Sequence, residues 1–342
     1  MNFKQALAHF IPQIDAEIKD VLSAKDETDV LHGMLNYHMG WLNENLEPED
    51  GTTGKRLRPV FTLLSCQALG GEPKQALPAA AAVELIHNFS LIHDDIEDGS
   101  DMRHGRRTVW HIWGEPQAIN AGDAMFVLAR NVLLQLRRYD IPLPTIFEAV
   151  NKLDQTCLQL CQGQYLDMSF EQTLDVSLDA YLDMIAGKTS ALLACSGYLG
   201  ALIATNDSKR AQQFYDLGLA LGLAFQIQDD WLGIWGDEKL TGKPTADDLR
   251  RRKKSMPVVF ALNHDNASLS DQFKKLYTKS DVHDTDIADA ITILDELGAK
   301  AYTESMAKKY IDQAEALLVD IDMAGDSVAL QEMAHFLINR LH

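Results

Sequence analysis

Two stretches of this chain are apolar on nearly every side of a helix, and each ends in a pair of aspartates. Residues 78–96 read PAAAAVELIHNFSLIHDDI, and residues 215–234 read YDLGLALGLAFQIQDDWLGI. A helix without a polar face belongs at the centre of a bundle, where all its sides leave water. Elsewhere, too, apolar residues recur at helical spacing: Phe3, Leu7, Phe10, Ile14, Ile18 and Val21 make one stripe. Strand-type runs of Val, Ile and Thr are few. Breaks rich in turn formers fall at 47–54, 70–73, 99–105, 139–144, 205–208, 236–244 and 263–270. The expected fold is all-α, a single large helical bundle around a deep central cavity, with residues 1–342 forming one domain.

Helical phase then orders the polar residues. Val83, His87, Ser90, Asp94 and Asp98 share one stripe, so Asp94 and Asp98 point the same way, one turn apart. Carboxylates so close repel unless a cation lies between them. Magnesium suits the task, because a few carboxylate oxygens hold it while waters and substrate phosphates complete its shell. In the second stretch Phe225 and Asp229 are one turn apart, with Phe214, Gly218, Leu221 and Gly222 behind them on the same side. Gly218 and Gly222 predict close approach of a neighbouring helix. One aspartate pair at a helix end is ordinarily a solvated terminus. Two pairs, each closing an apolar helix, argue for chemistry.

The net charge is −19, from 31 Lys+Arg against 50 Asp+Glu. Nucleic acid and anionic headgroups would repel such a chain. A phosphorylated ligand would need local basic spots or bound cations. Several spots exist. GKRLRP, residues 54–59, opens a helix with Lys55 and Arg58 expected on one side, a compact charge beside a planar fork. Arg103, Arg106 and Arg107 follow the first acidic pair; Lys243 and the run 250–254 follow the second. Most of that run is expected to be a solvated face. Lys188-Thr189 pairs a lysine with a hydroxyl as phosphate loops do, but the glycine-rich loop is missing, which disfavours ATP hydrolysis. Cys66, Cys157, Cys161 and Cys195 form neither a zinc pattern nor a disulfide framework, so reduced, mostly buried thiols in a cytoplasmic protein are expected. The start, MNFKQALAHFIPQID, lacks signal-peptide features, and no apolar run approaches the roughly 20 residues of a membrane span.

The ordered set GKRLRP, LIHNFSLIHDDIEDGSDMRHG, GQYLD, GKTSALL and FQIQDDWLGIWGDEKLTGKP resembles the trans-isoprenyl diphosphate synthases, the polyprenyl synthetase family, over residues 55–257. Within the family the chain looks most like geranylgeranyl diphosphate synthases. The resemblance implies an isoprenoid-synthase bundle, a homodimer, and magnesium-dependent joining of isopentenyl diphosphate to allylic diphosphates, with three ions per site. By the same resemblance, Asp94, Asp98 and Asp229 would bind the ions. Arg103, Lys188, Lys243 and Lys253, with Lys254 as the alternative to Lys253, would contact the allylic diphosphate. Lys55, Arg58 and His87 would hold isopentenyl diphosphate. Thr189, Gln226, Gln164 and Asp167 match polar positions near the reacting groups or the metal-water shell.

Two departures stand out. Gly233 replaces a third aspartate of the second acidic motif, leaving Asp229 to act with help from Asp230 or Asp237. His104 stands where many relatives have a second arginine for isopentenyl diphosphate. Phe89 and Ser90, just upstream of Asp94, resemble the floor that limits product length; one bulky and one small residue imply geranylgeranyl diphosphate, against farnesyl or longer products. The rival enzymes are a terpene cyclase, whose second motif would carry Asn, Ser and Glu, and a metal phosphohydrolase using His87, His93 and Asp94. A non-catalytic synthase subunit draws support only from Gly233.

Overall fold

In the computed structural model, which describes residues 1–23, 30–49, 51, 54–237, 246–279 and 283–338, helices follow one another with little interruption. They begin with α1 (Phe3–Val21), α2 (Val30–His38), α3 (Leu57–Ala68), α4 (Leu77–Glu97), α5 (Val109–Trp113) and α6 (Glu115–Leu133). Next come α7 (Leu143–Glu171), α8 (Leu178–Ile185), α9 (Ala191–Thr205) and α10 (Ser208–Trp235). The chain then forms α11 (Asp247–Arg250), α12 (Met256–Leu262), α13 (Ala267–Tyr277), α14 (Asp284–Glu296), α15 (Ala299–Asp320) and α16 (Val328–Ile338). Local chemistry sets several starts. Asn2 and Gln5 exchange side-chain bonds with each other's backbone N–H groups at the head of α1, and Pro78 and Pro116 sit in the first turns of α4 and α6.

The described residues group into two compact units. The first comprises Met1–Gln155, Cys195–Tyr215 and Asp322–Glu332; the second comprises Thr156–Ala194, Asp216–Ile321 and the chain from Met333 onward. In the first unit α4 packs along α6 and against α3 and α1. Its first half is sealed from solvent on all sides, with Ala79, Ala80, Ala81, Ala82, Val83, Leu85 and Ile86 all at 0% exposure. The absence of a polar face predicts this burial. Where α4 meets α6, the ring of His93 fills the notch at Gly122; a Cβ there would lie 2.2 Å from His93 Nε2. Four residues after Asp98 begins a hairpin of two short strands, β1 (Met102–Arg103) and β2 (Arg106–Arg107), paired Met102 to Arg107 and Arg103 to Arg106. Its turn residues, His104 and Gly105, have φ of 51° and 77°, the positive pair that a two-residue type I′ turn demands.

The second unit is held by two apolar clusters. One centres on Tyr181, Ile185, Ile227 and Met256, the other on Leu249, Val258, Phe273 and Leu294. On α10, Gly218 and Gly222 bring the backbone of α9 and the turn before it close, as their spacing predicts. A Cβ at either would lie 2.7 Å from an α-carbon, that of Ala194 or Ser190. Between α8 and α9 the chain makes a single π turn, Ala186–Ser190, which periodicity does not reveal. None of the four cysteines is in a disulfide, and Cys161 alone among them is exposed. No helix among the described residues is long and apolar enough to cross a membrane.

The contact at Gly218 is backbone against backbone, with Ala194 Cα and Leu193 O of α9, so a side chain cannot be accommodated by a rotamer change. Gly218→Val is expected to lower unfolding stability by about 1–3 kcal/mol, read as a fall in denaturation midpoint; an unchanged midpoint would mean α9 and α10 are not packed this closely.

Candidate active site

At the end of α4, Asp94 is half-buried and Asp98, the residue that caps the helix, is exposed; the Asp98 N–H donates to Asp94 O at 2.8 Å. Asp95, the other member of the pair, turns the other way. Asp95 is 1% exposed, and its Oδ1 receives both Nε and Nη2 of Arg103, each at 2.8 Å. Burial raises the Asp95 carboxyl to about 6 against the opposing pull of Arg103, and the nearby Asp94 and Asp98 push in the same upward direction. Sequence analysis passed over Asp95. Its helical phase with buried Asn88 and Ile92 is the signal that could have found it.

Below this rim the first unit encloses a cavity of about 80 Å³. His38, Arg56, His87, Asp95, Arg103 and His104 are among the residues that line it. Arg56 is 4% exposed and donates through Nε to Asp15 (3.0 Å) and through Nη1 to Glu84 (2.6 Å). Arg58 Nη1 lies 3.4 Å from His87 Nε2, while its Nε is buried with no hydrogen-bond partner among the described residues. Burial, then the charges of Arg58 and Arg103, hold His87 well below its ordinary value. Burial and the neighbouring Arg103 and Arg56 take His38 down to about 3. Both imidazoles are therefore neutral at pH 7, and the guanidiniums carry the positive charge of the site.

Lys55 corrects the sequence reading. Helix α3 starts at Leu57, and Arg56 before it adopts the left-handed conformation (φ 50°). Exposed Lys55 thus precedes the helix and does not share a helical face with Arg58. His104, at the hairpin turn, is exposed. Phe89 is buried against Phe126 (centroids 5.0 Å apart) and His93 (5.6 Å), and the Ser90 hydroxyl donates to His87 O at 2.8 Å.

The second unit carries the other aspartate pair, and here again the two members part. Asp229 is half-buried; Asp230 is 5% exposed and fixed by three donors. These are Tyr181 OH, Met256 N (2.7 Å) and Gln226 Nε2 (3.0 Å). Burial, and then the charge of Asp248, push Asp230 up to about 7. Gln226 Oε1 accepts from Thr189 Oγ1 at 2.9 Å, so the π turn is tied to α10 through two of the expected residues. Lys188 Nζ pairs with Asp167 Oδ2 at 2.5 Å, beside buried Gln164 and beneath the notch where Gly163 meets the Lys188 backbone. Lys253 is exposed, whereas Lys254 is buried with Nζ 5.3 Å from the Tyr277 ring centroid. Lys243 lies outside the described residues.

Gly233 now has a steric reason. A Cβ at 233 would lie 2.3 Å from Asp248 Oδ2, so the carboxylate of Asp248 occupies the space beside the position where the family resemblance implies an aspartate. Neither Asp248 nor Tyr181 was singled out from sequence; each reaches the site from a distant part of the chain.

An all-α fold in which an apolar helix of each unit ends in a split aspartate pair is that of the isoprenoid synthases. Comparison with known proteins agrees. The family model described as polyprenyl synthetase matches residues 40–294. The chain is 38% identical over 300 residues to a geranylgeranyl diphosphate synthase of Mycobacterium tuberculosis, covering 88% of this chain and 85% of that one. It is 36% identical over 311 residues to a (2E,6E)-farnesyl diphosphate synthase of the same organism, covering 90% and 85%. Among solved structures, a polyprenyl synthetase from Streptomyces coelicolor superposes with a TM-score of 0.87 at 35% identity, over 98% of both chains. A geranylgeranyl pyrophosphate synthetase from Pyrococcus horikoshii gives 0.86 at 31%, over 98% of this chain and 99% of that one. The chain belongs to the polyprenyl synthetase family, and it is a prenyl chain-elongating transferase.

Because Asp248 fills the space at Gly233, restoring the family's third aspartate should harm the site. Gly233→Asp is expected to lower both thermal stability and turnover; a gain in activity would show that Asp248 yields the space.

Proposed function

We propose that this enzyme condenses isopentenyl diphosphate head to tail with allylic diphosphates and releases geranylgeranyl diphosphate. The observation that carries the reading is the pairing, in one unit, of carboxylates suited to a cation with half-buried Arg58, whose buried Nε lacks an acceptor among the described residues. A diphosphate oxygen would complete that N–H, and a carboxylate pair with exposed oxygens suits a hard ion. Among the described residues neither unit gathers three metal-ligating side chains into a cage. That fits an ion which takes much of its shell from water and phosphate. Asp94, Asp98 and Asp229 would hold magnesium, three ions per site, with Asp167 in the water shell. Magnesium supplies Lewis acidity that stabilises the charge of the leaving diphosphate.

The chain's own residues do the rest. Arg103, held by Asp95, together with Lys188, Lys243 and Lys253, neutralises the allylic diphosphate as its carbon–oxygen bond breaks, an interaction stronger in the transition state than in the ground state. Lys188 already pairs with Asp167, so it answers the substrate by exchanging one anion for another. Lys55, Arg58, neutral His87 and His104 hold isopentenyl diphosphate, whose double bond attacks the allylic cation before a proton passes to the departed diphosphate. Thr189, Gln226 and Gln164 orient polar atoms around the reacting carbons. The apolar wall of α4 excludes water that would otherwise trap the cation as an alcohol.

Phe89 and Ser90 support the product length: a buried ring beside a small hydroxyl makes a floor of intermediate depth. The family model spans residues of both units, which supports residues 1–342 acting as one prenyltransferase domain. Exposed apolar side chains on α6 and α7, Val127 at 54% and Phe147 at 78%, support a homodimer. Cysteines outside disulfides fit a cytoplasmic enzyme. The net charge argues against nucleic acid as a partner.

Purified protein, magnesium, isopentenyl diphosphate and each allylic primer, with products separated by chain length, test the reading. Geranylgeranyl diphosphate is the expected end product. Phe89→Ala should lengthen it, and His104→Arg should lower the Michaelis constant for isopentenyl diphosphate. Hydrocarbon from geranylgeranyl diphosphate alone, or phosphate release without carbon–carbon bond formation, would refute it.

A further inference from the structure

Phe89 does not stand alone. The ring of Phe126, on α6, is tilted against it at 5.0 Å, and His93 meets it edge-on at 5.6 Å. Phe126 is covered in turn. The guanidinium of Arg130, one turn further along α6, sits 3.7 Å from the Phe126 ring centroid. Arg130 is itself fixed at both arms of its fork: Nη1 donates to Phe126 O at 3.1 Å, and Nη2 lies 2.5 Å from Asp154 Oδ1 on α7.

We propose that Phe126, Arg130 and Asp154 brace Phe89 and thereby set how firmly the floor resists a lengthening prenyl tail. This rests on the reading of Phe89 as that floor. A ring at the end of a channel stops a tail only as well as its neighbours keep it in place. For Phe89 to swing aside, Phe126 must give way, and moving Phe126 strips the cation–π contact and disturbs an ion pair. His93, whose edge meets the Phe89 ring, cannot make room either, because it is wedged into the notch at Gly122. Phe126 is the second layer of the floor. Arg130 and Asp154 are positioning residues: they act on product length through Phe126 and touch neither diphosphate nor the reacting carbons.

The test is product length, with isopentenyl diphosphate and a short allylic primer, for a series that includes Phe89→Ala as reference. Arg130→Gln removes the charge with little change in volume. It should raise the ratio of overlong to normal product by about threefold or more, while the rate of the first condensation stays within about twofold. Arg130→Lys should keep the normal distribution in part, Asp154→Asn should shift it in the same direction as Arg130→Gln, and Phe126→Ala should shift it furthest. A purely structural role would lower stability and rate in this series without moving the distribution. If Phe89→Ala lengthens the product while Phe126→Ala and Asp154→Asn leave it unchanged, the brace is wrong and the floor stands. If Phe89→Ala changes nothing, the floor reading fails and the brace falls with it.

Discussion

Carboxylates at the end of a buried apolar helix repel one another until something positive reaches them, and this chain resolves the repulsion the same way twice. In each aspartate pair one member faces outward and the next is tied down by the protein. Asp95 is held by Arg103; Asp230 is held by Tyr181, Gln226 and the Met256 N–H. Burial raises both inward carboxyls far above the usual range, to about 6 and about 7. The outward members, Asp94 with Asp98 and Asp229, are the ones that the proposed function assigns to a cation. The pair is a division of labour between anchoring and binding.

Positive charge in the first unit follows a similar economy. His38 and His87 are neutral by burial and by the guanidiniums around them, so the cavity's charge comes from arginine alone. Arg56 is compensated by Asp15 and Glu84, and Arg103 by Asp95. Arg58, half-buried, has no such ion pair among the described residues, and its Nε is left for an anion. In a chain of net charge −19 this gathering of arginines is local.

Features set by local periodicity were legible from the amino-acid sequence. The apolar run of α4, the close approach at Gly218 and Gly222, and the turn-rich breaks that fall within the described residues follow from spacing that a single segment displays; most of the break at 236–244 lies outside them. What escaped depended on contacts between distant segments or on one residue's backbone. Arg56 adopts a left-handed conformation that no composition announces, and it separates Lys55 from the face of Arg58. The π turn around Lys188 inserts one residue where periodicity assumes a regular helix. Tyr181 meets Asp230 from 49 positions away, and Asp248 meets Gly233 from a separate helix, so neither belongs to the motif it completes. The departure at Gly233 was visible from the start, but its cause needed the third dimension.

The central claim is that the carboxylates closing α4 and α10 serve diphosphate binding through magnesium. Calorimetric binding of a non-ionising allylic diphosphate analogue, with and without magnesium, to wild type, Asp94→Asn and Asp229→Asn tests it most directly. The account predicts that each change weakens binding when magnesium is present and leaves the weaker metal-free binding unchanged. Wild-type binding indifferent to magnesium, or magnesium-dependent binding undiminished in either variant, would contradict it.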